Sequence, residues 1–501
     1  MKVLLAGYNV DRDVIEDLKR HSPPREDVTP ETLSASYARI SRDPRPVDEL
    51  RVAARREVEK ARRSNQTIIF KMGHHSVAEH AVFNFDIIGV SRLAVEEIEK
   101  FRLCSFTEKS QRYISLGDDF VLPEEVKKSG QREIFLKTVK TQNALYHKLY
   151  RKLRPFFFNK YKSISQNPKN HPVLDGWAKE DARYIVSLAT EGQLGMTINA
   201  RNLELLIRRF AAKTLAEIKD LNAKIYALAK EVAPSLILFT EASDFDAEAY
   251  ADIATSAGAL LGKNNEKSCP RKSDREAVRL VDHTAGGDDR ILAALLHSST
   301  SLPYERCLAR IRAMTLRRKR EFVKTAFRRM EFYDFPLREF EHADLTFALI
   351  VSASSFAQIK RHRMATLTCQ DYDPALGVTI PPSVEEIGAD SEFREVIERT
   401  NETYARLKRE VGEASAYVLT NAHRRRVLLK VNARELYHIS RLREDPTAQW
   451  DIRQSVGRMA ALARKAMPLS FLLLGGKEDY PALYKHVFGK DPKFLPPRYL
   501  K

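Results

Sequence analysis

The sequence predicts an α+β chain built from two tandem copies of one unit. Two pairs of matching segments recurring in the same order carry that prediction, and a stretch of small and polar residues between them marks the joint. AVFNFDIIGVSRLAVEEIEKFRLCSFTEKSQRY, beginning at Ala81, lays onto ADLTFALIVSASSFAQIKRHRMATLTCQDYDP, beginning at Ala343. In each, a Glu-His pair (Glu79-His80, Glu341-His342) precedes an alternating strand that runs into a short helix ending in basic residues. Further on, DARYIVSLATEGQLGMTINARNLELLIRRF matches ASAYVLTNAHRRRVLLKVNARELYHISRLR, without a gap, on Asn199-Ala200-Arg201 and Asn432-Ala433-Arg434. The openings correspond more loosely: MKVLLAGYNV with TPETLSASYARIS in the first copy, AVRLVDHTAGGDDRILAALLHSST in the second. EASDFDAEAYADIATSAGALLGKNNEKSCPRKSDRE reads as a connection with one helical piece, which gives copy one as 1–240, a linker as 241–275 and copy two as 276–501. PPSVEEIGADSEFREVIERTNETYARLKREVGEA begins with prolines and continues as an amphipathic scaffold helix.

The chain has 501 residues, enough for two to four domains at ~150 residues each. No stretch approaches the ~20 consecutive apolar residues that cross a bilayer, so no membrane partner is expected. The start, MKVLLAGYNVDRDVIEDLKR, has a short apolar run met at once by charges, as in the first strand of a cytoplasmic protein. Lys and Arg number 84 against 67 Asp and Glu, a net charge of +17 that favours an anionic ligand. Most of these basic residues fall on amphipathic helices, where they form solvated faces, and no specific nucleic acid is expected. Cys104, Cys269, Cys307 and Cys369 lie far apart with no CxxC pair, so neither a metal site nor a disulfide framework is indicated.

Arg443 stands out on physical grounds. In a helix, Leu436, Ile439 and Arg443 share one face, and that face is the core face. Copy one puts Phe210 in the matching slot, whereas copy two puts a guanidinium there. A buried guanidinium needs anionic or hydrogen-bonding partners, supplied by a ligand or by an internal salt bridge. Gln358 and Arg361 are spaced to share a helix face and to reach one ligand. Arg361, His362 and Arg363 gather donors suited to a phosphate or an anionic flavin, or else cap a helix C-terminus.

Taken together, HHSVAEHAVFNFDIIGVSRLAVEEIEKFRLCSFTEKSQRY, the Arg361-His362-Arg363 triplet, the two Asn-Ala-Arg segments and AQWDIR ending at Arg453 resemble the flavin-dependent thymidylate synthase family. The resemblance covers most of the chain, twice over, and implies two tandem copies of that fold, an antiparallel or mixed sheet with helices. The family signature reads Arg-His-Arg, two residues, Ser, one residue, Asn-Glu, one residue, Ser, one residue, Arg-Tyr, and neither copy holds all of it. Copy one keeps Ser105, Glu108, Ser110, Arg112 and Tyr113 but has Lys100-Phe101-Arg102 in place of the triplet. Copy two keeps Gln358 and the triplet, while Cys369, Asp371 and Asp373 replace the glutamate, serine and arginine. Arg183, sixteen residues before Asn199, fits the family's substrate arginine, and copy two has Ala416 there. Eleven residues after the asparagine the pattern reverses, with Phe210 in copy one and Arg443 in copy two. Milder departures are Thr366 for the serine after the triplet, His438 for a frequent asparagine and Asp451 for a glutamate.

The resemblance implies reductive methylation of dUMP to dTMP, with FAD as cofactor and with NADPH and methylenetetrahydrofolate as co-substrates. Arg443 would be the catalytic residue, stabilising the ionised pyrimidine. Gln358, Arg361, Glu108, Ser110, Gln111, Arg112, Arg183 and Arg443 would hold the nucleotide. Ser76, Arg361, His362, Arg363, Glu108, Asn199, Arg201, Asn432, Arg434 and His438 would border FAD. Because the family builds each site between neighbouring chains of a homotetramer, the split motifs imply composite sites shared between copy one and copy two. A homodimer of this chain would then be a pseudo-tetramer. The alternatives are a diverged flavoprotein acting on another pyrimidine, and a non-catalytic paralogue that binds a nucleotide or a nucleic acid.

Overall fold

A computed structural model describes residues 1–21, 27–261 and 276–497. The first half folds around a sheet of β1 (Lys2–Tyr8), β2 (Val82–Ser91), β3 (Cys104–Glu108) and β4 (Glu191–Asn199), in the order β1-β2-β4-β3. The second half repeats that order with β5 (Val278–His283), β6 (Asp344–Ser352), β7 (Thr366–Cys369) and β8 (Arg424–Asn432). Every strand pair is antiparallel, which settles the choice between antiparallel and mixed sheets. The registers correspond except at Gly89, an extra residue that bulges β2 against β4: Ser105 pairs with Thr197 and Thr366 with Lys430, each partner lying two residues before its copy's asparagine.

Local chemistry repeats as well. Ser91 and Ser352 end β2 and β6 and cap the next helix, their hydroxyls accepting from the Ala94 and Ser355 N–H groups. Asn199 and Asn432 cap the helices after β4 and β8 in the same way, accepting from Asn202 and Glu435. Alternation buries Phe83, Phe85 and Ile87 under one sheet and Leu345, Phe347, Leu349 and Val351 under the other, each in a core of its own.

A third body of apolar packing joins the halves. Leu145, Tyr146 and Leu149, on the helix Arg132–Lys160, pack with Phe393, Val396 and Ile397 on the helix Asp390–Val411. At the centre Ser187 and Thr420 bridge, and each lies twelve residues before its copy's asparagine. Leu188 N–H donates to Leu419 C=O (2.7 Å), and its counterpart Asn421 N–H donates to Val186 C=O (3.0 Å). Ala189 to Tyr417 and Ala422 to Tyr184, both at 2.9 Å, repeat the pattern. Such reciprocity is the signature of an isologous contact, here formed inside one chain about a pseudo-two-fold axis. Lys360 and Glu99, which are equivalent positions, form a buried ion pair 2.9 Å long across it.

His423 is fully buried beside this axis, with its Nδ1 accepting from Thr420 N–H and its Nε2 against Asn401 Oδ1, both at 2.9 Å. Burial pushes the imidazole down to about 4. Between that value and the unfolded value near 6.5 the unfolded chain binds the extra proton, so stability is complete above about pH 6.5 and is lost as pH falls towards 4. His423→Gln is therefore expected to lose about 2 kcal/mol less than the wild type between pH 7 and pH 5, as read by urea unfolding at the two pH values.

The helix Asp244–Leu261 supplies the helical piece expected in the connection, and most of it is exposed. Residues 262–275, including Cys269, lie outside the described residues. Cys104, Cys307 and Cys369 are free thiols. Among the described residues no helix is long and apolar enough to cross a membrane.

Candidate active site

The pseudo-dimer brings the retained half of one copy against the retained half of the other. Glu108, the last residue of β3, pairs with Arg361 at 2.5 Å. Arg363 donates to the Cys104 carbonyl on the same strand, and Arg102 returns the contact to the Ala365 carbonyl at 3.2 Å. In the turn after β3, Arg112 pairs with Glu180 through Nε and donates through Nη2 to the Thr447 carbonyl at 2.9 Å. Gln111 Oε1 accepts from Asn421 Nδ2 (3.1 Å), and Ser110 Oγ accepts from Arg112 N–H (3.2 Å). Arg183 Nη2 and Gln358 Nε2, from opposite copies, both donate to Gln449 Oε1 at 2.9 Å. Arg443, the last residue of the helix Ala433–Arg443, donates to His362 Nε2 (3.0 Å) and to the Gln358 carbonyl (3.2 Å).

One expectation needs correcting. Gln358 lies on the helix Ala353–Ile359, but Lys360 caps that helix, so Arg361 stands in the turn beyond it and does not share a helix face with Gln358. The buried Lys360–Glu99 pair holds the chain where it leaves the helix and lets Arg361 reach sideways to the other copy's strand.

Four guanidinia, those of Arg112, Arg183, Arg361 and Arg443, are thus gathered around few carboxylates. Burial, then the charges of Arg361 and Arg112, pushes Arg443 down to about 10. Burial pushes Arg183 to about 10 as well, although Glu180 opposes it. Burial also raises Glu180 above the ordinary carboxyl range, against the pull of Arg112 and Arg183. For Glu108 burial works against the charge, but Arg92, Lys360 and Arg361 outweigh it and its carboxyl lies low. Buried Arg183 Nε and Gln358 Oε1 have no hydrogen-bond partner among the described residues. Surplus positive charge beside orphaned polar atoms is the arrangement an anionic, hydrogen-bonding ligand completes.

The triplet's other flank is built differently. His362 is buried and its ring lies 5.8 Å from that of His438, while burial, then Arg443 and His438, holds its pKa well below the ordinary value. Phe335, 53% exposed, lies 5.3 Å from His438 and within cation–π range of Arg434 at 6.0 Å. Met364, next in the chain after the triplet, is exposed. His362, Glu435 and His438 bring possible metal-ligand atoms within 4.8 Å of one another. Because His362 Nε2 accepts from Arg443, its proton sits on Nδ1, facing Glu435 at 3.8 Å, and no lone pair is left there for an ion. Ser76, Asn199 and Arg201 stay apart on the copy-one side: Arg201 pairs with Glu79, and Asn199 is used as a helix cap. No hydrogen bond or ion pair joins these three to the arginine cluster among the described residues.

The pseudo-symmetric counterpart of this site is filled. Arg425 is sandwiched between Phe356 (4.6 Å) and Tyr372 (4.3 Å) and pairs with Glu96 at 3.1 Å. Tyr372 also donates to Glu96 (2.8 Å), and Arg92 pairs with it at 3.2 Å. At the matching positions copy one has Gly192, Val95 and Gln111, and Ala357 stands opposite Glu96. There a pocket of about 220 Å³ opens, lined among others by Arg92, Val95, Glu108, Gln111 and Gly192. Phe101 and Phe210 pack edge to face at 5.7 Å where the other half joins His362 to Arg443.

Residues 26–235 and 279–469 match the family model described as thymidylate synthase complementing protein. The chain belongs to the flavin-dependent thymidylate synthase family. A flavin-dependent thymidylate synthase of Clostridium tetani is 30% identical over 214 residues, 42% of this chain and 82% of that protein. That of Geobacter sulfurreducens is 31% identical over 228 residues, 44% and 83%. A UPF0159 protein of Thermoplasma acidophilum is 24% identical over 476 residues, 85% of this chain and 91% of that protein, so it runs alongside both halves. Of the residues assigned from sequence, those on the nucleotide side meet here, whereas Ser76, Asn199 and Arg201 lie apart and Asn432, like Asn199, is used as a helix cap. Motif reading passed over Gln449, Glu180 and Tyr184, although Gln449 sits in the AQWDIR string that carried part of the resemblance.

Proposed function

We propose that the chain is an FAD-dependent thymidylate synthase converting dUMP to dTMP, with methylenetetrahydrofolate as carbon donor and NADPH as reductant, at one composite site per chain. The observation that carries this reading is the meeting of complementary half-motifs: Arg112 and Arg183 from residues 1–240 against Arg361 and Arg443 from residues 276–501, joined by the Glu108–Arg361 pair. Arg112, Ser110 and Arg361 take the nucleotide phosphate, where planar bidentate donors suit its oxygens. Arg443 faces the pyrimidine and stabilises charge on its ring, a fixed donor in a half-buried site. Gln111, Gln358 and Arg183 complete the nucleotide's hydrogen bonding. Phe335, His362, Arg434 and His438 offer an apolar face edged with donors, which fits a planar anionic cofactor, with Arg363 and Asn432 as further family positions. When bound, flavin supplies the hydride, and the chain's task is to bind, orient and polarise. Ser76, Asn199 and Arg201 are reached only from a second chain, so the working form is a homodimer with four copies, and residues 241–275 are its linker.

Incubating the protein with FAD, NADPH, methylenetetrahydrofolate and dUMP tritiated on the carbon to be methylated tests the reading. Tritium release with dTMP formation is expected; neither, in protein shown to bind FAD, overturns it.

One site per chain carries its own prediction. Arg425→Ala removes one of the two cations paired with buried Glu96, leaving Arg92 and the Tyr372 hydroxyl, and is expected to cost about 1.5–3 kcal/mol of stability. Turnover of the variant that stays folded is expected within twofold of wild type, because the filled half does no chemistry. Thermal unfolding and kcat on the same preparation check both parts.

A further inference from the structure

Gln449 occupies a place in the fold that the motif residues leave unexplained. Its side chain is 1% exposed and stands between the two halves of the site. Oε1 accepts at 2.9 Å from Arg183 Nη2 of the first half and at 2.9 Å from Gln358 Nε2 of the second. Nε2 donates to the Tyr184 hydroxyl at 3.0 Å. Tyr184 in turn donates to Asp451 Oδ2 (2.9 Å), and the same carboxylate oxygen accepts from Ser352 Oγ (2.5 Å). Ser352 is the N-cap of the helix that carries Gln358. The path therefore closes on itself: Arg183 and Tyr184 are neighbours in the first half, and Gln358 and Ser352 are the two ends of one helix in the second.

The amide can sit only one way round. Reversed, its NH2 would face the N–H donors of Arg183 and Gln358, donor against donor, at a buried position. Tyr184 and Ser352 are fully buried, and burial raises Asp451 above its ordinary range even though two hydroxyls donate to it. A network that ties both halves through one amide fixes the distance between them more tightly than any one of its bonds.

We propose that Gln449 is a positioning residue that sets the spacing between Arg183 and Gln358, and with it dUMP affinity. This rests on the composite-site reading above. Gln449 touches neither the reacting atoms nor Arg443; it acts through the two side chains it holds. One hydrogen bond to a guanidinium is worth enough that its loss is expected to shift affinity roughly ten- to a hundredfold.

The test titrates dUMP calorimetrically into FAD-loaded wild type, Gln449→Ala and Gln449→Glu, and measures KM and kcat on the same samples. Gln449→Ala is expected to weaken dUMP binding and raise KM by at least about tenfold, with kcat at saturation falling less than about threefold. Gln449→Glu keeps the acceptor but neutralises Arg183, so binding weakens again, and now with a shallower salt dependence. A residue that served only the fold would lower the melting temperature and leave KM unchanged, which overturns the proposal. Unaltered dUMP binding in both variants overturns it too and leaves the composite site standing. If wild type itself fails to bind dUMP, the composite site falls and this inference falls with it.

Discussion

Replacing Arg443 with alanine lowers kcat for dTMP formation at least about a hundredfold while FAD stays bound, since removing one preoriented donor at developing charge typically costs that much. The structure gives the reason for the size of the effect. Arg443 is held by His362 Nε2 and the Gln358 carbonyl, so its guanidinium is fixed before any ligand arrives. Burial and the nearby charges of Arg361 and Arg112 push its pKa down to about 10, which marks a cation short of negative partners. On the proposed function, an ionised pyrimidine would supply that partner. Arg443→Lys keeps the charge but loses the planar fork and both anchoring bonds together, so only part of the rate returns. Steady-state kcat beside flavin absorbance of the purified variants separates loss of chemistry from loss of cofactor.

Arg112→Ala and Arg361→Ala each lower kcat/KM for dUMP at least about tenfold, and they do so through dUMP binding. Two arginines from different copies facing one phosphate contribute charge-assisted bonds of about 1.5–3 kcal/mol each, so either deletion weakens binding at least about tenfold. Each also removes a carboxylate's partner. Glu180 is buried and relies on Arg112, whereas Glu108 keeps Arg92 and Lys360 nearby when Arg361 is lost. Arg112→Ala is thus expected to lower the melting temperature more than Arg361→Ala does. Because both serve one ligand, the double variant loses less affinity than the two single losses added together. Wild-type turnover in either single variant contradicts the shared site.

The sequence showed the duplication clearly because gapless Asn-Ala-Arg alignment fixes register, and a shared register puts equivalent side chains in equivalent places. That is why Ser105 and Thr366 pair at matching rungs of their sheets. It also made Arg443 visible, as a guanidinium in a slot that Phe210 fills with core packing. Arg361 was misplaced because spacing alone does not say where a helix stops, and here a buried ion pair at Lys360 follows its end. Gln449, Glu180 and Tyr184 stayed hidden for another reason. Gln449 is 266 residues from Arg183, and no period or spacing records a bond that forms only after two sheets dock. The filled half did leave a trace in the alignment, Arg425 opposite Gly192, but its meaning needed Phe356, Tyr372 and Glu96 around it.

The central claim is one composite nucleotide site per chain, and the stoichiometry of dUMP binding tests it most directly. Calorimetric titration of FAD-loaded protein is expected to give one dUMP per chain, bound at least about tenfold more weakly in Arg112→Ala and in Arg361→Ala alike. Two per chain would mean that the half filled by Arg425 also binds, and undiminished binding in both variants would mean that the two halves do not share a site; either result contradicts the account.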